Sequence, residues 1–237
     1  MHLTDLTIDP SRFPRQDIYP YSIPLLQQRL TLRFNRPVTM FVGENGAGKS
    51  TVLNALARRC DIQIWRGTTR TRYQRNPYED MLHKAMDVTW SRGPVPGSFF
   101  ASQIFQNFAK ILDEWAADDP GVLKYFGGHS LMTLSHGQSL MSFFRSRYKI
   151  KGLYFLDEPE TALSPKTQVS LLNLLCEISQ SDHAQFIIAT HSPILMACPD
   201  ADLISFDRIP PEGIAYKDTP HYRVYRDFMN DPSQFLP

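Results

Sequence analysis

Short apolar runs recur along the chain, each ending where glycine, proline or a charged pair begins. Residues 38–42, 152–156 and 185–190 are almost continuously apolar, the pattern of strands buried on both faces of a parallel sheet. Between these runs the period changes from two to three and four. Val52, Leu53, Leu56 and Ala57 predict a helix over 51–59. Ser164 as N-cap and Pro165 in the first helical position predict another to about residue 179, burying Val169, Leu172 and Leu175 or their neighbours. Ser192 and Pro193 open a third by the same device. Phe100, Ile104, Phe108, Ile111 and Trp115 predict a helix over 98–116, stopped by the turn residues 118–121, as the core of a small helical subdomain. Ser135 with Gln138 forms a capping box for a helix over 135–147.

Weaker patterns fill the remainder. Residues 30–34 and 61–65 alternate like strands, and 203–206 can pair with 214–216 across a Pro-Pro-Glu-Gly turn. Residues 1–36 are otherwise mixed, broken by prolines at 10, 14, 20 and 24, and 220–228 is aromatic with no evident chemistry. These elements predict an α/β fold, a mostly parallel sheet flanked by helices, as one domain over 1–237. An inserted helical subdomain is expected at about 66–150. A hydrophobic share of 42% supports a substantial core, and a net charge of +1 argues against a protein that coats nucleic acid. Cys60, Cys176 and Cys198 lie far apart, without zinc or disulfide spacing. No basic n-region and apolar h-region open the chain, and no apolar run approaches ~20 residues, so a soluble cytoplasmic protein is expected.

The chemistry concentrates where apolar runs end. Gly43-Glu44-Asn45-Gly46-Ala47-Gly48-Lys49-Ser50, followed by Thr51, fits the G-x-x-x-x-G-K-[ST] template between a predicted strand and a predicted helix. In that order backbone amides at a helix N-terminus wrap a di- or triphosphate, Lys49 reaches the outer phosphates and Ser50 joins the shell of Mg²⁺. The run 152–156 ends in Asp157-Glu158, which a parallel sheet would place beside the loop. Asp157 is then a Mg²⁺ ligand and Glu158 a general base for an attacking water. His191 ends the next apolar run, within reach of a γ-phosphate. Tyr19 and Tyr21 lie upstream, where an aromatic ring can either stack on a base or pin the proline-rich segment to the core. Four arginines within 66–75 can either contact the phosphates of nucleic acid or a partner, or stand as a solvated loop diluted by Asp61, Glu79, Asp80 and Asp87.

Taken together, residues 43–51, Leu134-Ser135-His136-Gly137-Gln138, the strand at 153–159, residues 160–164 and His191 resemble the five motifs of ABC-class P-loop ATPases. They match, in order, the Walker A loop, signature motif, Walker B strand, D-loop and switch histidine. The Gly-Glu-Asn-Gly start, Ser-His-Gly-Gln and Asp-Glu-Pro-Glu followed by Leu-Ser-Pro look like the stand-alone soluble "predicted AAA family ATPase" branch. That branch is related to SMC/RecF-like and overcoming-lysogenisation-defect ATPases. The resemblance implies ATP and Mg²⁺ as ligands and a head-to-tail homodimer around ATP, in which Ser135, Gly137 and Gln138 reach the phosphate held by the other copy. It further implies a soluble switch acting on nucleic acid or a partner protein, with the ATPase subunit of a membrane transporter as the alternative. His136 stands where the signature has glycine, and Gln103, on the polar face of a predicted helix, is the nearest candidate for the Q-loop.

Overall fold

The computed structural model describes residues 1–64, 76–126, 128, 130–133 and 136–236. At the centre of the main sheet β3 (Val38–Val42) lies between β7 (Ala184–Ala189) and β8 (Ala201–Ser205). Beyond β7 come β6 (Gly152–Asp157) and then β5 (Gly97–Ala101). These five strands run parallel, and β9 (Glu212–Gly213) adds antiparallel to β8. Parallel pairing brings the C-terminal ends of β3, β6, β7 and β8 to one edge, so whatever follows each strand meets there.

Alternation along these strands divides the core into two layers. Val38, Met40 and Val42 face one side with Tyr154 and Leu156, whereas Phe41, Leu153 and Phe155 face the other. The first layer is closed by α2 (Ser102–Asp118), α3 (His136–Arg147) and α4 (Pro165–Ser179), through Phe105, Phe108, Leu112, Phe144 and Leu175. The second is closed by α1 (Lys49–Arg59) and by a small antiparallel sheet. That sheet has the order β2 (Leu30–Arg33), β1 (Leu3–Ile8) and β4 (Met86–Trp90). The fully buried amide of Gln185 ties the two sheets together. Its Oε1 accepts from the N–H of His2 at 2.9 Å and of Leu3 at 2.7 Å, and its Nε2 donates to the Leu3 carbonyl at 2.8 Å. All of its amide atoms that face backbone are thereby satisfied, as a buried polar side chain requires.

Several sequence expectations need correction. Residues 1–36 hide β1, because a bulge between Leu3 and Asp5 spaces its buried positions Leu3, Leu6 and Ile8 by three and then two. Residues 98–101 are strand, not helix: β5 pairs with β6, and Phe99 and Phe100 bury on opposite faces. Gly97 permits that pairing, since a Cβ there would stand 2.0 Å from the Leu153 carbonyl oxygen. The helix therefore starts at Ser102 and buries Phe105, Phe108, Ala109 and Leu112, leaving Trp115 41% exposed. In α4 the buried face carries Leu171, Leu174, Leu175 and Ile178, with Val169 outward and Leu172 only partly buried. No strand forms over 61–64: Asp61 turns in the left-handed region (φ 56°) and Ile62 wraps back to donate to the Ala57 carbonyl at 2.9 Å. Trp65 and the arginine run at 66–75 lie outside the described residues. In the tail, β9 pairs Gly213 with Ile204 and Glu212 with Ser205, earlier than the expected partners 214–216; Tyr216 starts a 3-10 turn.

Candidate functional site

The loop between β3 and α1 owes its shape to two close approaches. Gly48 sits at φ 97°, and a Cβ on it would meet Leu25 Cδ2 at 2.7 Å. Gly43, at φ 142°, lies against Asp207, which accepts from the Glu44 N–H at 2.7 Å. Gly48 caps α1 without a side chain, so nothing competes for the first-turn amides, whose aligned dipoles favour an anion. Lys49 begins the helix two residues earlier than predicted and is only 4% exposed. Its Nζ donates to the Gly43 carbonyl at 2.6 Å and the Glu44 carbonyl at 2.8 Å. An ammonium has three donors, so one remains for a ligand. Burial lowers the Lys49 pKa, opposed by the charges of Glu158, Asp207, Glu44 and Asp157.

Beside the loop, Ser50 Oγ donates to Asp157 Oδ1 at 2.7 Å, and Asn54 braces the pair by donating to the Ser50 carbonyl at 2.7 Å. Burial raises the Asp157 pKa, and the Ser50 hydrogen bond offsets part of that rise. Among the described residues no three His, Cys, Asp or Glu side chains gather to hold a metal alone. Ser50 and Asp157 instead form a pair of hard oxygen donors that suits a small divalent cation completed by phosphate and water oxygens. The residues fit Mg²⁺.

Glu158 occupies the left-handed region (φ 45°, ψ 56°), unfavourable by roughly 1–2 kcal/mol for a side chain with Cβ. Its backbone is held there from both sides. The N–H donates to the Ala189 carbonyl at 2.9 Å, and the carbonyl accepts from Ser102 Oγ and Thr161 Oγ1, both at 2.9 Å. Strain held in this way aims the carboxylate, and His191 Nε2 lies 3.7 Å from its Oε1. His191 leaves the end of β7 with its own N–H donating to Glu160 Oε1 at 2.5 Å. Its ring Nδ1 stands 2.9 Å from Nε2 of His221, a residue of α6 (Pro220–Asn230). Burial lowers the His191 pKa, and the Lys49 and His221 charges add to this.

Lys49, Ser50, Asp157, Glu158 and His191 thus meet at one sheet edge. Tyr21 is 2% exposed and packs on Phe13, so it pins the proline-rich segment to the core. Tyr19 is 44% exposed, borders the loop with Thr51 and Glu158, and has its hydroxyl 3.1 Å from Thr51 Oγ1. Gln103 is the second residue of α2, directly after β5, rather than mid-helix; Ala101 pairs with Asp157 across the sheet. Leu134 and Ser135 lie outside the described residues. Gly137 and Gln138 lie in the first turn of α3, and a Cβ on Gly137 would sit 3.6 Å from Thr167 Oγ1 of α4. Three residues escaped sequence reasoning. Asp207 carried a readable signal, an acid just past an apolar run at the same edge. Glu160 was read only as part of the D-loop. His221, thirty positions from His191 on an aromatic helix, gave no local sign.

Residues 138–197 match the family "AAA domain, putative AbiEii toxin, Type IV TA system", and residues 20–58 match an "AAA domain" family. The chain is 23% identical over 181 residues to the petrobactin import ATP-binding protein FpuD of Bacillus anthracis, a match over 70% of this chain. That match covers 66% of FpuD, just under two thirds of its length. The SMC head domain from Thermotoga maritima superposes with a TM-score of 0.51 at 17% identity, over 90% of this chain and 98% of the head domain. The shared feature at that identity is the fold.

Proposed function

We propose that this chain, which has the fold and motif order of an ABC-class P-loop ATPase, binds ATP and hydrolyses it to ADP and phosphate. The observation that carries the proposal is the meeting of Lys49, Ser50, Asp157, Glu158 and His191 around the loop 43–51. Gly43, Glu44, Asn45, Gly46, Ala47 and Gly48 wrap the phosphates with backbone amides, and Lys49 turns its remaining donor to the outer phosphates. Ser50 and Asp157 hold Mg²⁺, with Thr51 completing the first turn of the helix. Bound there, Mg²⁺ supplies charge that neutralises the phosphate oxygens as the bond to the γ-phosphorus breaks. Glu158 accepts a proton from the attacking water, whose oxygen bonds the γ-phosphorus as ADP leaves. His191 donates to a γ-phosphate oxygen from Nε2.

The site is half of a pair. Ser135, Gly137 and Gln138 of a second copy supply the opposite wall, a role supported by the place of Gly137 and Gln138 in the first turn of α3. ATP thereby joins a head-to-tail homodimer and hydrolysis releases it. The inserted helical subdomain, expected at about 66–150, consists of the helices between residues 102 and 147, because β4 and β5 belong to the two sheets. The dimer acts as a soluble switch on nucleic acid or a partner protein, in repair or defence; the match to a putative toxin of a toxin–antitoxin system favours defence. The ATPase subunit of a membrane transporter is the second reading, favoured by the petrobactin-import relative; among the described residues no helix is long and apolar enough to cross a membrane itself. Phosphate release from ATP tests the activity: wild type is active with Mg²⁺, and Glu158→Gln loses turnover while retaining ATP. Turnover by Glu158→Gln at the wild-type rate would sink the assignment. Capture from native lysate, with membrane and nucleic-acid fractions scored separately, separates the two roles.

A further inference from the structure

We propose that His221 is a positioning residue: its Nε2–H donates to His191 Nδ1 and so keeps the His191 proton on Nε2, the nitrogen beside Glu158. The inference rests on the reading of His191 as the γ-phosphate contact. Two imidazole nitrogens 2.9 Å apart share one proton, with one ring donating and the other accepting. Both rings cannot be charged in this arrangement, because two N–H groups would then point at each other.

The surroundings decide the direction. His191 Nε2 lies 3.7 Å from Glu158 Oε1 and is buried without a hydrogen-bond partner. A lone pair there would face a carboxylate, whereas an N–H is attracted to it. Nδ1 is therefore the acceptor and His221 the donor. His221 Nδ1, likewise buried and without a partner, then carries the lone pair of a neutral ring. Neutrality suits its position. His221 is in the first turn of α6, after Pro220, where the positive end of the helix dipole opposes an imidazolium. Burial lowers the His221 pKa in the same direction. The charged groups facing the two rings are Lys49, Glu44 and Glu158 around His191, and Lys49, Glu44 and Asp207 around His221.

The helix that carries His221 is anchored at this end. Thr219 is fully buried, donates to the Tyr216 carbonyl at 2.8 Å and accepts from the Tyr222 N–H at 3.3 Å. The rings of Tyr216 and Tyr222 pack 4.7 Å apart beside it. A histidine's functional nitrogen is set by the hydrogen bond that its other nitrogen makes. Here that bond comes from an element with no other part in the site.

The test compares ATP turnover by wild type, His221→Ala, His221→Gln and His191→Ala, with imidazole ¹⁵N NMR on the first three. Glutamine keeps an N–H₂ able to donate to Nδ1. Expected are a fall in kcat of roughly ten- to a hundred-fold for His221→Ala, the effect of removing the group that orients a functional histidine, with KM for ATP unchanged. His221→Gln should recover most of that loss. In wild type His191 should show a protonated Nε2 and bare Nδ1, and in His221→Ala a mixture of tautomers. Wild-type kcat in His221→Ala, no recovery in His221→Gln, or a protonated His191 Nδ1 in wild type would overturn the inference. If His191→Ala is crippled while His221→Ala is not, the His221 inference alone fails. Full activity in His191→Ala removes the parent reading as well.

Discussion

Replacing Lys49 with alanine isolates the strongest single contact that the site offers a phosphate. The ammonium bridges the Gly43 and Glu44 carbonyls and is 4% exposed, so a phosphate meeting its third donor does so away from bulk water. A hydrogen bond to a charged group contributes about 1.5–3 kcal/mol. At about 1.4 kcal/mol per factor of ten, Lys49→Ala should weaken ATP binding roughly ten- to a hundred-fold. Screening should be slight because the group is buried, so raising salt should narrow the gap little. Lys49→Arg should not rescue binding, since a planar fork does not reproduce the compact ammonium's bonds to the Gly43 and Glu44 carbonyls. Titration calorimetry with ATP and Mg²⁺ measures both affinities, and melting without nucleotide confirms that each variant is folded. ATP affinity within about two-fold of wild type in Lys49→Ala would refute the phosphate-contact reasoning.

Further perturbations reach other parts of the account. Gln185→Leu preserves size but leaves the His2 and Leu3 N–H groups and the Leu3 carbonyl without their partner. At about 1–3 kcal/mol per buried group, three groups cost at least about 3 kcal/mol and should lower Tm by roughly 10 °C or more; an unchanged Tm would show that the amide does not tie the sheets. Burial raises the Glu160 pKa above 4.5, so the folded state binds its proton more tightly than the unfolded state, and this group's contribution to stability falls as pH rises through the raised pKa. Glu160→Gln, which keeps the acceptor for the His191 N–H, should therefore melt above wild type at pH 8, with the gap closing as pH approaches 4.5. A gap that widens on acidification would mean the sign is wrong. Asp207→Ala should weaken ATP binding more than Asp207→Asn, because asparagine keeps an oxygen for the Glu44 N–H. Equal affinities would show that the brace does not shape the loop.

What was legible in the sequence followed from local physics. The runs ending in Gly43, in Asp157-Glu158 and in His191 have few polar residues because the strands are buried on both faces. Parallel pairing then brings their ends together without further information. What was not legible depended on partners distant in sequence. The bulge in β1 erased its alternation. Phe99 and Phe100 were read into a helix because their strand exists only where Gly97 lets β5 approach Leu153. The His191–His221 contact joins two elements whose relation no local pattern carries. The stripe on α2 was misplaced for a related reason: once Phe100 belongs to a strand, the helix faces the core through Phe105 and Leu112.

The central claim, that the loop 43–51 is half of a site completed by a second copy, is tested most directly by the mass of Glu158→Gln with saturating ATP and Mg²⁺. Light scattering should give twice the 27.2 kDa of one chain with ATP, and 27.2 kDa once nucleotide is removed. A Glu158→Gln protein that binds ATP yet stays at 27.2 kDa would contradict it.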